Sequence, residues 1–275
     1  NADFYEYATG GWQKNNPLKP EYSRYGSFDI LRDNNEKRIN ELFSEMTKMK
    51  AEPGSIEQKI SDLYKMGLDS VRLNAEGAAP VKDAVGEILA IGDRAQLTGA
   101  IAGLHTAIAN PIFSVGVQAD LMNSDINALY ISQSGIMMGD RDYYLDPENE
   151  NIRTAYKEYL GKLFRLAGIP EADIEKAVAG VMNIETKLAE KSWSNTELRD
   201  IPAQYNPTAK AEFEKTYDAI DWPAYYKAMG IGDFDTIIVT TKSSIANAND
   251  LMKNAPLEDI RYYLAAQYLD DAASY

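Results

Sequence analysis

The stretch "SRYGSFDILRD", residues 23–33, sets two arginines and two aspartates around the start of an amphipathic segment. Guanidinium and carboxylate groups crowded this closely can bind an anionic group on a ligand or satisfy one another. With Ser27 read as the N-cap of a helix, Asp29 and Asp33 fall in or just after its first turn, where the positive end of the helix dipole favours carboxylates. Asp29 and Arg32, three residues apart, lie on one helix face and can pair. Arg24 precedes the helix on a Tyr25-Gly26 turn, so its planar fork can point into the space that the helix N-terminus faces, a geometry that suits a carboxylate ligand. Spacing alone leaves three accounts open: a capped and salt-bridged helix terminus, a surface on which another domain docks, and an anion reader. The first is the simplest, because Arg24 can pair with Asp29 and most exposed charge clusters do no more than that.

The other candidate groups are few. The cluster "GDRDYYLD", residues 139–146, combines Arg141 with Asp140, Asp142 and the paired Tyr143 and Tyr144, whose rings can line a cavity or pin the loop to the core; pinning is expected. Neither these carboxylates nor those of "YLDDAAS" have the spacing of a calcium loop, so no metal is assigned. The chain holds one histidine, His105, whereas a zinc site of the H-E-x-x-H kind needs two on one helical face. His105 sits in "LTGAIAGLHTAIAN", where Leu97, Ile101, Leu104 and Ile108 recur at helical spacing, and no nucleophile-elbow sequence accompanies it. It reads as an ordinary helix-face histidine. There is no cysteine, which excludes disulfides, thiolate metal sites and cysteine nucleophiles.

The elements that must position these groups are mainly helical. An apolar stripe of Phe28, Leu31, Ile39, Leu42, Phe43, Met46 and Met49 predicts a long helix from Ser27 to just before Pro53-Gly54. Ser55 and Gln58 make a capping box for the next helix, Pro80 opens another, and a fourth covers residues 93 to 109. The period then changes: "PIFSVGVQADL" and "DINALYISQSG" are rich in β-branched and aromatic residues and flank Met122-Asn123-Ser124, which predicts a hairpin. Helices are expected near 150 to 167, 170 to 191, 208 to 216 and 222 to 229, then a short strand at Ile237 to Thr240 and two more helices, the last from Leu257. That helix ends in "LAAQYLDDAASY" without a glycine cap or terminal cations, which suggests a truncated protein. The opening "DFYEYATGGWQKNNPLKP" is rich in rings, and so many in a short terminal segment imply docking against another surface, of this domain or of a missing one.

Composition narrows the partners. Forty-two acidic against 28 basic residues give a formal charge of −14, which repels nucleic acid and anionic lipid, and 45% hydrophobic residues suffice for a substantial core. No apolar run reaches the roughly 20 residues that span a bilayer, so no membrane insertion is expected of this chain.

Taken together, "DFYEYATGGWQKNNPLKPEYSRYGSFDILRD", "GDRDYYLD", "YNPTAKAEFEK" and "IDWPAYYKAMG", in this order, resemble the neprilysin and endothelin-converting-enzyme family of metallopeptidases over essentially the whole chain. The resemblance implies the amino-terminal part of a large zinc metalloendopeptidase, bacterial and secreted or envelope-bound (periplasmic, cell-envelope or extracellular), that hydrolyses short peptides. It implies a mainly α fold, a multi-helix lid-type domain with one small β-hairpin, lacking the thermolysin-like catalytic domain. Residues 1–26 would dock on that missing carboxy-terminal catalytic domain, and 27–275 would form the helical lid, incomplete at its end. Zinc would belong to the full-length enzyme, with none bound by this chain. In neprilysin-like members the arginine matching Arg24 binds the free carboxylate of short substrates, with the positions of Asp29 and Arg32 beside it. The resemblance thus favours the anion reader, with Asp29 orienting the Arg24 fork and Arg32 completing the polar wall. Two departures stand out. The animal ectoenzymes carry cysteines where this chain has Asn1 and Thr9, so packing alone must hold the amino terminus, and family members commonly have proline where Gly139 stands. On this reading the chain alone is inactive, with no catalytic residue of its own. The alternative is a non-catalytic helical module that binds peptides or a partner protein, and the simplest rival is a scaffold without a ligand.

Overall fold

A computed structural model of the chain describes residues 3–20, 22, 24–107 and 109–273. Two compact units divide it, Asn1–Ala75 and Glu76–Tyr275, so residues 1–26 share a unit with the long helix that follows them. The fold is mostly helical with one small sheet.

The smaller unit starts with α1 (Phe4–Asn15), where a helix was not expected. Asp3 caps it, its carboxylate accepting from Tyr5 N at 2.9 Å and Glu6 N at 3.1 Å. Thr9 adds a local bond, its hydroxyl donating to Tyr5 O at 2.8 Å; Asn1 lies outside the described residues. Helix α2 (Ser27–Met46) begins at the expected residue, but its N-cap is Gly26, with the Asp29 carboxylate accepting from Gly26 N at 2.8 Å. It closes earlier than its stripe suggested, at Thr47. Ser55 caps α3 (Ile56–Leu68) by accepting from Gln58 N, while the Gln58 side chain reaches Gly54 N instead of Ser55 N. A short α4 (Ser70–Glu76), not foreseen, runs to the unit boundary.

The larger unit holds the core. Helix α5 (Ala79–Leu89), with Pro80 in its first turn, and α6 (Leu97–Ala107) lead to β1 (Phe113–Ala119) and β2 (Asn127–Gln133), the antiparallel hairpin that the period change predicted. The hairpin belongs to a four-stranded sheet in the order β1-β2-β4-β3: β4 (Thr236–Val239) runs parallel to β2, and β3 (Pro207–Ala209) pairs antiparallel with β4. Between the hairpin and β3 come α7 (Asp142–Leu145), α8 (Glu150–Leu166) and α9 (Glu171–Lys191). Helices α10 (Lys210–Thr216) and α11 (Trp222–Met229) precede β4, and α12 (Lys242–Asn254) and α13 (Leu257–Ala272) follow it. Helix α9 buries Ile174, Ala177, Val181, Ile184 and Leu188 at helical spacing, and α13 packs Ile260, Tyr263 and Leu264 against it. Among the described residues no helix is long and apolar enough to cross a membrane.

Candidate functional site

The arginines and aspartates of residues 24–33 lie in the smaller unit, where α2 meets the segment that links it to α1. Arg24 is exposed, and the ion pairs among the described residues leave it out; Ser23 beside it lies outside those residues. Asp29 is committed elsewhere: beyond capping Gly26 it faces Arg32 at 3.3 Å. The pairing expected between Asp29 and Arg32 is therefore formed, and Asp29 does not pair with Arg24. Arg32 also lies 3.9 Å from Glu36 and holds its guanidinium over the Tyr22 ring. Its pKa is raised, chiefly by its hydrogen bond with Tyr22.

Asp33, one helical turn after Asp29, organises the rest. Its carboxylate accepts from the Tyr22 hydroxyl at 3.0 Å on one oxygen and the Tyr25 hydroxyl at 2.9 Å on the other, with Lys19 at 3.7 Å. The Tyr22 and Tyr25 rings pack with centroids 5.1 Å apart, and the Lys19 ammonium sits over both. The Tyr25 hydroxyl, first among several donors and cations, holds the Asp33 carboxyl below its ordinary value, and the same bond raises the Tyr25 phenol. The two tyrosines that flank Arg24 are thus tied to α2 through one carboxylate, while Arg24 itself is exposed and enters no hydrogen bond or ion pair among the described residues.

The larger unit gives its polar side chains structural work. Arg141 donates to Ser192 O at 2.7 Å, and Tyr144 is buried and donates to Glu185 at 2.8 Å, so this tyrosine pins the loop as expected. Gly139 has φ +82°, which proline cannot adopt, so the loop takes a backbone shape closed to chains with proline there. His105 is held from both sides: Pro111 O can only accept, so Nε2 at 3.2 Å carries the hydrogen, and Nδ1 accepts from the Tyr225 hydroxyl at 2.6 Å. Burial lowers its pKa and favours this neutral form. The residues present do not fit a zinc ion: the one imidazole has both nitrogens engaged, and no group of three or more His, Cys, Asp or Glu is gathered to hold a metal among the described residues.

One buried acid was not anticipated. Glu185 on α9 is fully buried and accepts from Tyr144 on α7 and Tyr156 on α8, both at 2.8 Å, with Gln267 on α13 at 3.3 Å from its other oxygen. Burial pushes its carboxyl up to about 8. The sequence did carry a signal, since Glu185 stands four residues after Val181 and three before Leu188 on the inward stripe.

The whole of residues 1–275 matches the model of peptidase family M13, and the chain belongs to that family. The endothelin-converting enzymes 1 of mouse and human are 29% and 30% identical to it over 265 residues, which is 92% and 91% of this chain and 34% of each relative. The chain thus spans about a third of the length of the curated relatives it matches. Its fold is similar to that of the Mycobacterium tuberculosis zinc metalloprotease Zmp1 in complex with an inhibitor, with a TM-score of 0.90 at 23% identity over 98% of this chain and 42% of that one. PepO from Lactobacillus rhamnosis is similar at a TM-score of 0.75 and 20% identity, covering 99% of this chain and 43% of that one. The likeness to the metallopeptidase family drawn from the opening motif, and the mainly helical fold expected with it, are both borne out.

Proposed function

We propose that this chain is the amino-terminal, substrate-enclosing portion of a bacterial secreted or envelope-bound zinc metalloendopeptidase, and that Arg24 grips the carboxyl end of short peptides. The observation that carries the proposal is the state of Arg24: an exposed residue just before α2, left out of the ion pairs among the described residues, between two tyrosines tied to α2. A fork held in place with free donors recognises a planar carboxylate through two parallel hydrogen bonds. Arg32, paired with Asp29, forms the polar wall beside it. Asp29 serves by capping the helix and holding Arg32.

Zinc and its ligands would come from outside this chain. What these residues do in the reaction is bind and orient: they fix one end of the peptide and help keep bulk water and large substrates out. The exposed rings of α1, with Phe4 at 79% and Tyr7 at 75%, support docking of the amino-terminal segment on a catalytic domain.

The test compares two peptides that differ only in a free or amidated carboxyl terminus, cleaved by the complete enzyme. Arg24→Ala is expected to raise KM for the free acid roughly tenfold to a hundredfold, the range for losing a charge-assisted hydrogen-bonded pair, and to leave the amide unchanged. Equal effects on both peptides would remove the carboxylate-binding role.

A further inference from the structure

We infer that Asp33 is a positioning residue for Arg24: it acts through the Tyr22 and Tyr25 hydroxyls to hold the arginine-bearing segment against α2, the task that Asp29 is not free to perform. The inference rests on the reading of Arg24 as a carboxylate binder. Its basis is the division of labour among the acids. Asp29 is occupied by the Gly26 amide at 2.8 Å and by Arg32 at 3.3 Å, both on the start of α2 itself. Asp33 reaches outward, one oxygen to a tyrosine two residues before Arg24 and the other to the tyrosine directly after it. With Tyr22 and Tyr25 both held by Asp33, the short segment between them that carries Arg24 has fewer conformations open to it.

The surrounding groups keep Asp33 ionised and confine it. Lys19 lies 3.7 Å away and covers both rings, Arg32 lies at the 4.0 Å limit of an ion pair, and the Asp33 side chain is 16% exposed. The charge balance explains why Arg24 stays available. Asp33 is drawn to two phenols, a lysine and Arg32, and Asp29 to Arg32, so both acids at the start of α2 already have partners. Removing the phenolic hydroxyls would free Tyr22 and Tyr25 to turn, and would free Asp33 to compete with a substrate for Arg24. Both consequences weaken recognition of the peptide carboxylate without touching it.

The experiment measures kcat and KM of the complete enzyme for the free-acid and amidated peptides, in the wild type, Arg24→Ala, Asp33→Asn and the double variant Tyr22→Phe with Tyr25→Phe. The expected result is that Asp33→Asn and the double variant each raise KM for the free acid roughly fivefold to twentyfold, a partial loss of the pre-organised geometry, with kcat for the amide unchanged. The double variant keeps both rings and the Asp33 carboxylate, so it decides the matter even where Asp33→Asn fails to fold. If Arg24→Ala abolishes the preference for the free acid and the double variant retains it, the positioning role of Asp33 is overturned and the binding role of Arg24 stands. If Arg24→Ala itself leaves the preference intact, the carboxylate reading falls, and the inference with it. A merely structural contribution would lower kcat/KM for both peptides alike, which also overturns the inference.

Discussion

At the scale of single residues, Glu185 and Gly135 decide how the larger unit is held. Glu185 binds its proton more tightly in the fold, at about 8 against an ordinary value of 4.5, because burial disfavours the carboxylate more than its tyrosine and glutamine donors favour it. Its contribution to stability is therefore complete below about 4.5 and is lost as pH rises from there through about 8. His105 has the opposite sign. Its pKa is lowered from 6.5, so its contribution is present above that value and lost as pH falls through the folded value. Thermal unfolding of Glu185→Gln between pH 5 and pH 8 is expected to show a flatter decline than the wild type, because the amide keeps an acceptor for the tyrosines and cannot ionise; an unchanged decline would place the titration elsewhere. Gly135 lies at φ +89°, and a Cβ there would overlap Tyr263 Oη and Ile112 N. The Tyr263 hydroxyl accepts from Ile112 N and donates to Gly135 O, both at 2.9 Å, so it cannot withdraw cheaply. Gly135→Ala should cost about 3 kcal/mol or more, from backbone strain plus a broken buried bond, measured by denaturant unfolding.

At the scale of elements, α2 shows most clearly what a period can and cannot say. Its apolar stripe was correct as a helix signal, yet none of its residues is buried: Phe28 is 85% exposed and Leu31 62%. A stripe reports that a face is apolar and is silent on what covers it. The docking proposed for α1 predicts that Phe4→Ser with Tyr7→Ser, whose rings are likewise exposed, changes the stability of the 275-residue chain by less than about 0.5 kcal/mol, as surface substitutions do, while lowering activity in the complete enzyme. A large loss of stability in the chain alone would mean that this face is covered within it. Helices α5, α6, α8, α9, α11 and α13 were legible because each buries one stripe against the core and carries a proline, an acidic first turn or a polar boundary. Helix α1 was not, because Gly10-Gly11 interrupts its middle and its exposed rings form no inward stripe, leaving only the Asp3 and Glu6 signal that starts it. The Asp33 clamp was half legible. Spacing placed Asp33 near the helix start, but nothing local says that Tyr22 and Tyr25 fold back onto it.

At the scale of the molecule, the sheet marks the limit of local reading. The hairpin could be seen because its strands are adjacent in sequence and rich in β-branched residues. The strand expected at Ile237 to Thr240 is β4, but its pairing with β2 from more than a hundred residues away could not be seen, nor could β3, which is three residues long. The single histidine was read as an ordinary helix-face residue, and the structure gives it two part-buried hydrogen bonds, to Tyr225 and to Pro111 O. The central claim is that this chain grips and encloses peptides while the chemistry lies outside it. The most direct test is peptide cleavage by the purified 275-residue chain beside the complete enzyme, at equal concentration, with zinc added and then chelated. The account predicts zinc-dependent cleavage by the complete enzyme and none by the chain alone; zinc-dependent cleavage by the chain alone would contradict it.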